Sequence, residues 1–289
     1  MTENDRAPVA PWLLVGPALL LFAGVVIIPL MMTVLLTFQT WDPSRGIIPT
    51  FVTANWVEVF SDDYFLEIFL RTFRFAAIVT AITLVLGAPE AYILHRMRSR
   101  WRSICLLVVL GPLLVSVVAR TLGWTLLFGG ANGVVNQALM ALGVIRRPLP
   151  FMFTETGTII ALAHVLMPFM VLAVITSLQK LEPQIEHAAA SLGARPFTVY
   201  RRVILPQIVP GLLSGAIIVF AMAASSFATP AIIGGRRLKV ASTLIYDEFL
   251  NSLNWPLGAV IAVLLLVAIA AVIVGSNRLV ERRYAEVFR

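Results

Sequence analysis

The sequence has a single cysteine, Cys105, set inside an apolar run. A disulfide within the chain and a cysteine-based metal site are both excluded. Its three histidines, His95, His164 and His187, are scattered and show no metal-ligand spacing. Charge is scarce: only 13% of residues are Asp, Glu, Lys or Arg. Uncharged runs of about 20 residues, each long enough for a membrane span, are therefore available. No G-x-x-x-x-G-K-S/T stretch occurs, so the chain lacks the usual loop for the phosphates of ATP. Clustered titratable groups of the kind a proton-transfer or metal-dependent enzyme needs are missing as well. No catalytic residues, metal or cofactor are expected in this chain.

What is present is apolar surface. The chain of 289 residues is 59% hydrophobic with a mean hydropathy of +0.91, far from the composition of a soluble globular domain. Its net charge of +7 would suggest nucleic acid in a soluble protein. In a membrane protein it follows from Lys and Arg collecting in cytoplasmic loops, so nucleic acid is not an expected partner and the lipid bilayer is. Six apolar runs read as spans: about Trp12–Phe38, Arg71–Leu94, Ile104–Phe128, Thr156–Leu178, Ile208–Ile232 and Leu257–Ser276. The first is too long for a signal-peptide core and lacks a small-residue cleavage pattern, which makes it a retained span.

Orientation follows from the connecting segments. Arg6, the run Arg96, Arg98, Arg100 and Arg102, the group Lys180, Arg195, Arg201 and Arg202, and the four tail arginines from Arg278 to Arg289 all fall on one side. The opposite loops are poorer in basic residues, and the 39–70 loop carries Asp42, Glu58, Asp62, Asp63 and Glu67 with Trp41, Trp56 and Tyr64. The prediction is an all-α polytopic membrane protein of six transmembrane helices with both termini cytoplasmic. Residues 1–11 read as a tail, 12–64 as the first transmembrane helix with an outer loop, 65–279 as the main membrane body and 280–289 as a second tail.

Several positions inside the runs stand out. Arg120 lies within the third run, where a charge is costly; it reads either as a pathway or gate residue or as an arginine near the outer end reaching outward. His164 in the fourth reads more readily as a packing residue than as a ligand. Val134 to Leu142 form a short interfacial helix in this reading. The outer half of the fifth run, Ala223 to Pro230, is small and polar. It suits a helix interrupted over a cavity, the alternative being a small-residue packing face. The 179–210 segment, QKLEPQIEHAAASLGARPFTVYRRVILPQIVP, is a polar interruption built like a helix. Pro183 fits a helix first turn, Gly193 a stop or bend, and Pro196 the start of a second short helix, with Pro206 and Pro210 punctuating the entry to the next span. It reads as a docking knob for a soluble partner or as an amphipathic connector on the bilayer.

Ala188-Ala189, Gly193 and Val203-Ile204-Leu205-Pro206 stand at the spacing of the EAA loop of ABC importer permeases, which this segment resembles. The family's Glu position is His187 here, and the nearest acid is Glu186. The resemblance implies a type I ABC importer permease core with a cytoplasmic coupling loop at 179–207. Its Glu186, His187, Ala188, Ala189, Gly193, Arg201, Arg202, Leu205 and Pro206 would dock on the ATPase. Shorter stretches are similar to the spermidine/putrescine group of permeases: Arg120-Thr121 with Trp124, Asn132-Gly133-Val134-Val135-Asn136, Pro168-Phe169-Met170, Phe227-Ala228-Thr229-Pro230 with Gly234-Gly235, and Asn254-Trp255-Pro256. That group often has an acid where this chain has Ser226, and a serine is not a natural counter-charge for a polycation. The implied solute is polyamine-like, an opine, an aminophosphonate or similar. Arg120, Trp124, Ser225, Ser226, Phe227, Thr229 and Pro230 are the expected pathway residues.

The resemblance further implies a cytoplasmic ATPase subunit dimer carrying ATP and Mg, a second homologous permease subunit and an extracytoplasmic solute-binding protein, in the inner membrane of a bacterium. The alternative is an ATP-independent carrier or channel, for which Glu90 is the one clear intramembrane carboxylate.

Overall fold

The computed structural model describes residues 9–284, with side chains described over 15–278 except at Pro183, His187, Ala190 and Arg236. The expected tail positions before 9 and after 284, and the side chain of His187, lie outside the described residues. In chain order the elements are α1 (Val9–Leu36), strands β1 (Thr40–Asp42) and β2 (Gly46–Ile48), α2 (Ala54–Ser61), α3 (Asp63–Arg96), α4 (Ser99–Leu110), α5 (Val117–Phe128), α6 (Val134–Ala141) and α7 (Glu155–Leu178). There follow α8 (Pro183–Ser191), α9 (Pro196–Val199), α10 (Leu205–Ser225), α11 (Ala241–Tyr246) and α12 (Trp255–Tyr284). Among the described residues, five helices are long and apolar enough to cross a membrane, and six if the bent pair Ser99–Leu114 and Val117–Phe128 is one span.

The chain divides into two compact units. The first takes in the described residues up to Asp63 together with Ile245–Leu264. The chain is mostly helical, as expected, with one local exception here: β1 and β2 form an antiparallel hairpin pairing Thr40 with Ile48 and Asp42 with Gly46. Gly46 takes a positive φ of 75°, which the turn requires. The Asp42 carboxylate accepts from the Ser44 hydroxyl and from the Ser44 and Arg45 amides, and these bonds hold it below the usual carboxylate range. Asn55 donates to the carbonyls of Thr37 (2.9 Å) and Gln39 (2.8 Å), tying α2 to the end of α1. Phe38 stacks on Phe51 at 4.8 Å.

The second unit holds Tyr64–Leu244 and the chain from Leu265 onward. Its core is the α7–α10 pair. Gly211 and Gly215 of α10 meet α7 so closely that a Cβ at Gly211 would sit 2.5 Å from Ser177 Cβ and 2.9 Å from the Ala173 carbonyl. Small residues let backbones approach in this way where lipid supplies no hydrophobic drive between helices. Helix α3 packs on the same pair through Phe73, stacked on Phe220 at 6.1 Å, and through Gly87, which abuts Met167 and Met170. The N-terminus of α7 is capped by Thr154, whose hydroxyl accepts from the Gly157 amide at 3.2 Å.

Three boundaries differ from the sequence reading. The third apolar run is not one helix: α4 passes through a 3₁₀ turn, Gly111–Leu114, and α5 leaves at 102°. Pro112 starts the tight turn, where its missing N–H is harmless, and Val115 and Ser116 are extended. The second short helix of the 179–210 segment is not separate either, because helix runs on from Pro196 to Ser225. A π turn at Tyr200–Ile204 replaces the break, with the Leu205 amide reaching back to the Tyr200 carbonyl. That wider turn lies where the ring of Pro206 would otherwise press on the preceding turn. Helix α12 extends to Tyr284, beyond the expected span end at Ser276.

Candidate functional site

The segment after α7 folds as a capped knob. Glu186 lies in the first turn of α8, where an acid suits the helix dipole. The far end closes as a Schellman cap: Gly193 has φ 79°, and the Ala194 amide bonds the Ala189 carbonyl at 3.2 Å. This is the physical content of the Ala-Ala to Gly spacing. Glu186 is already engaged, for it forms an ion pair with Arg96 at the end of α3. Arg96 in turn stands over the Tyr92 ring, 5.2 Å from its centroid, and Tyr92 meets Tyr200 edge-on at 5.1 Å. Ala188, Arg201, Arg202 and Pro206 are exposed, whereas Ala189 and Leu205 are half-buried against the core.

The sequence reading missed two exposed apolar side chains of this knob. Leu192 is 89% exposed and Phe197 72%. They flank Gly193, and neither carries a charge, so a search for polar contacts passes over them. The available signal was an apolar residue on either side of a helix-stopping glycine in an otherwise polar loop.

The second site is a cavity of about 610 Å³ lined from the 3₁₀ turn, α5, α7, α10 and the residues just beyond it. Two helix interruptions face it. One is the break at Val115-Ser116 before α5; the other is Ser226-Phe227, where α10 ends. Each has its own anchor. The Ser226 carbonyl accepts from the Ser242 hydroxyl at 2.6 Å. The Thr121 and Thr229 hydroxyls lie 3.2 Å apart, both fully buried, and join α5 to the segment beyond α10.

Of the seven expected pathway residues, Arg120, Ser226 and Phe227 line this cavity. Thr229 and Pro230 are buried in the wall behind it. Ser225 donates back to the Ala221 carbonyl at 2.8 Å. Trp124 does not line the cavity; its indole N–H donates to His164 Nδ1 at 3.4 Å, and its ring lies 4.7 Å from Phe128. His164 is accordingly partnered but exposed on α7 rather than packed in the core. Arg120 is the one charged residue of the lining, and its Nε and Nη1 atoms are buried with no hydrogen-bond partner among the described residues. The lining also includes Ser116 and Val117, which the sequence did not single out, and Phe169, noted there only within the Pro168-Phe169-Met170 stretch. Glu90 lines a different, mainly apolar cavity of about 460 Å³ between α3 and α4. No group of residues suited to holding a metal ion occurs among the described residues.

Comparison with known proteins places this arrangement. The chain is 30% identical over 261 residues to the spermidine/putrescine transport system permease protein PotB of Haemophilus influenzae, covering 89% of this chain and 91% of PotB. It is 33% identical over 207 residues to the molybdenum transport system permease protein ModB of Mycobacterium bovis, covering 71% and 75%. Its fold is similar to a chain of a bacterial alginate ABC transporter solved with an alginate pentasaccharide-bound periplasmic protein, with a TM-score of 0.80 and 16% identity over 97% of this chain and 98% of that one. The model of the binding-protein-dependent transport system inner membrane component family matches residues 9–286. Several apolar helices, a capped polar knob and a cavity between two interrupted helices thus belong to a multi-pass bacterial inner-membrane protein, and the chain is a member of the binding-protein-dependent transport system inner membrane component family, the ABC importer permeases.

Proposed function

We propose that this chain forms half of the translocation pathway of an ATP-driven importer for a small polar solute. It crosses the membrane six times, with the bent α4–α5 pair as the third crossing and both termini cytoplasmic. A second homologous permease subunit completes the pathway. An extracytoplasmic binding protein delivers the solute, and a dimer of cytoplasmic ATPase subunits, which carries ATP and Mg, receives residues 179–207. The solute is polyamine-like, an opine, an aminophosphonate or similar; the relatives' names alone span spermidine/putrescine and molybdenum.

One observation carries the mechanical part of this reading. The helix that begins at Pro196, beside the exposed Phe197, runs to Ser225 at the cavity wall. Thirty residues of helix span about 45 Å. A push on the knob is therefore delivered to Ser226 and Phe227 along one continuous helix, a lever with the π turn at Tyr200–Ile204 and Pro210 as its bend points. ATP-driven closure of the partner would move the lever and expose the cavity alternately to the two sides, as expected where interrupted helices line a solute path.

The test is uptake by the complete transporter in proteoliposomes with the ATPase facing a compartment loaded with or without ATP. Uptake should require ATP and disappear in Gly193→Pro, which cannot adopt the φ of 79°. Uptake that persists without ATP and follows an ion gradient would refute the proposal and move attention to Glu90.

A further inference from the structure

Resting on that reading, we infer that the cavity selects solutes by a compact negatively charged group, a carboxylate, phosphonate or oxyanion, held by Arg120 and the first turn of α5. Three observations converge. Arg120 is the one charged residue in the lining, and its polar neighbours there are Ser116 and Ser226, so no carboxylate of the lining answers it. Two of its three guanidinium nitrogens are buried without a partner among the described residues. An arginine reaching out to the membrane surface would instead keep these nitrogens wet, and guanidinium nitrogens buried without a partner are costly.

The third observation is the placement of α5. It starts anew at the cavity, since Ser116 and Val117 both line it, and the Ser116 side chain makes no capping bond. The first-turn amides of α5, at Val117 to Ala119, have no acceptor within the helix. They and the helix dipole present positive charge beside Arg120. Leu113, Val165 and Phe169 complete the wall with apolar surface, which screens the field less than water does. His164 Nδ1 accepts from the Trp124 indole N–H, so that lone pair is not available to Arg120. A fully cationic polyamine meets a field of its own sign here. A solute bearing a carboxylate or phosphonate supplies the acceptors that the guanidinium lacks, in a geometry that suits its planar fork.

The test uses the complete transporter in nanodiscs and in proteoliposomes, with 2-aminoethylphosphonate, octopine and spermidine as probes. Thermal stability with each probe, measured without ATP, reads binding; ATP-driven uptake reads transport. The inference predicts that at least one anionic probe raises the melting temperature and that spermidine does not. Arg120→Gln should weaken anion binding by roughly tenfold or more, Arg120→Lys should retain more of it, and Ser226→Asp, which sets a carboxylate in the same lining, should abolish it. Stabilisation by spermidine and not by either anion, no binding of either anion, or unchanged anion binding in both Arg120→Gln and Ser226→Asp would overturn it. If the importer reading alone is wrong, uptake fails with every probe while anion binding and its loss in Arg120→Gln persist.

Discussion

Replacing Phe197 with alanine separates docking by shape from docking by charge. Phe197 is 72% exposed at the start of the lever helix. A Phe side chain buries about 150–250 Å² when fully covered, so a groove on the ATPase can cover roughly 110–180 Å² more of it. At about 25 cal/mol per Å² this amounts to about 2.7–4.5 kcal/mol, less about 1 kcal/mol for ordering the side chain. The net is about 1.7–3.5 kcal/mol, or roughly 15- to 300-fold in Kd. Glu186 should behave differently, because its carboxylate is already paired with Arg96. Glu186→Ala should change docking by roughly fivefold at most. The assay is biolayer interferometry of the full-length chain in nanodiscs against its purified ATPase, with thermal melts to confirm that both variants are folded. A Phe197→Ala affinity within threefold of wild type (about 0.7 kcal/mol), together with a loss of more than about tenfold in Glu186→Ala, would refute the reasoning and return the contact to the acid.

Three further outcomes are expected. Gly193→Ala should cost about 1 kcal/mol of local stability, because its φ of 79° disfavours a Cβ, while Gly193→Asn should cost less; protease sensitivity of the knob measures both. Gly211→Ala should lower the melting temperature of the purified chain, since its Cβ would meet Ser177 at 2.5 Å and the backbone of Ala173 at 2.9 Å; the cost is about 1–3 kcal/mol. Gly215→Ala should cost less, because the nearest atom there is the Met170 sulfur of a flexible side chain, at 2.8 Å. Asn136 is fully buried and bonds the Gly130 carbonyl and both backbone polar groups of Leu149; Asn136→Ala should loosen the 129–150 loop by about 2–3 kcal/mol, seen as faster hydrogen exchange there.

The membrane class, the fourth span and the stop at Gly193 were legible because each rests on local chemistry. Apolar runs separated by basic loops mark spans, and a glycine between two helical stretches marks a helix stop. The break before α5 was harder to see. Gly111-Pro112 and Ser116 signal it, but hydropathy stays high across Ile104–Phe128, and a sliding average over apolar residues cannot register a 102° bend. Pro206 and Pro210 misled in the opposite direction: a π turn beside Pro206 and the span's own packing kept the helix whole. Three of the seven expected pathway residues, Arg120, Ser226 and Phe227, line one cavity, and their meeting there was not legible. Arg120 and Ser226 are over a hundred positions apart and meet at one cavity, while Trp124, one turn from Arg120, faces His164 instead. Among the described residues the hairpin is the one β element in the expected helical fold; its strands are three residues each and too short to show a period-2 pattern.

The central claim is that residues 179–207 dock on an ATPase and that this contact drives the pathway. Site-specific cross-linking tests it most directly. Leu192→Cys, at a position 89% exposed, would be placed in a Cys105→Ser background, which is free of other cysteines. A short bifunctional cross-linker would then be added to the complete transporter in native membranes, with Thr40→Cys on the hairpin as the control position. The account predicts an adduct between the Leu192→Cys chain and a Walker-A ATPase, absent at Thr40→Cys, with loss of ATP-driven uptake once the link forms. A Leu192→Cys site that links to no ATPase while uptake remains ATP-dependent would contradict it.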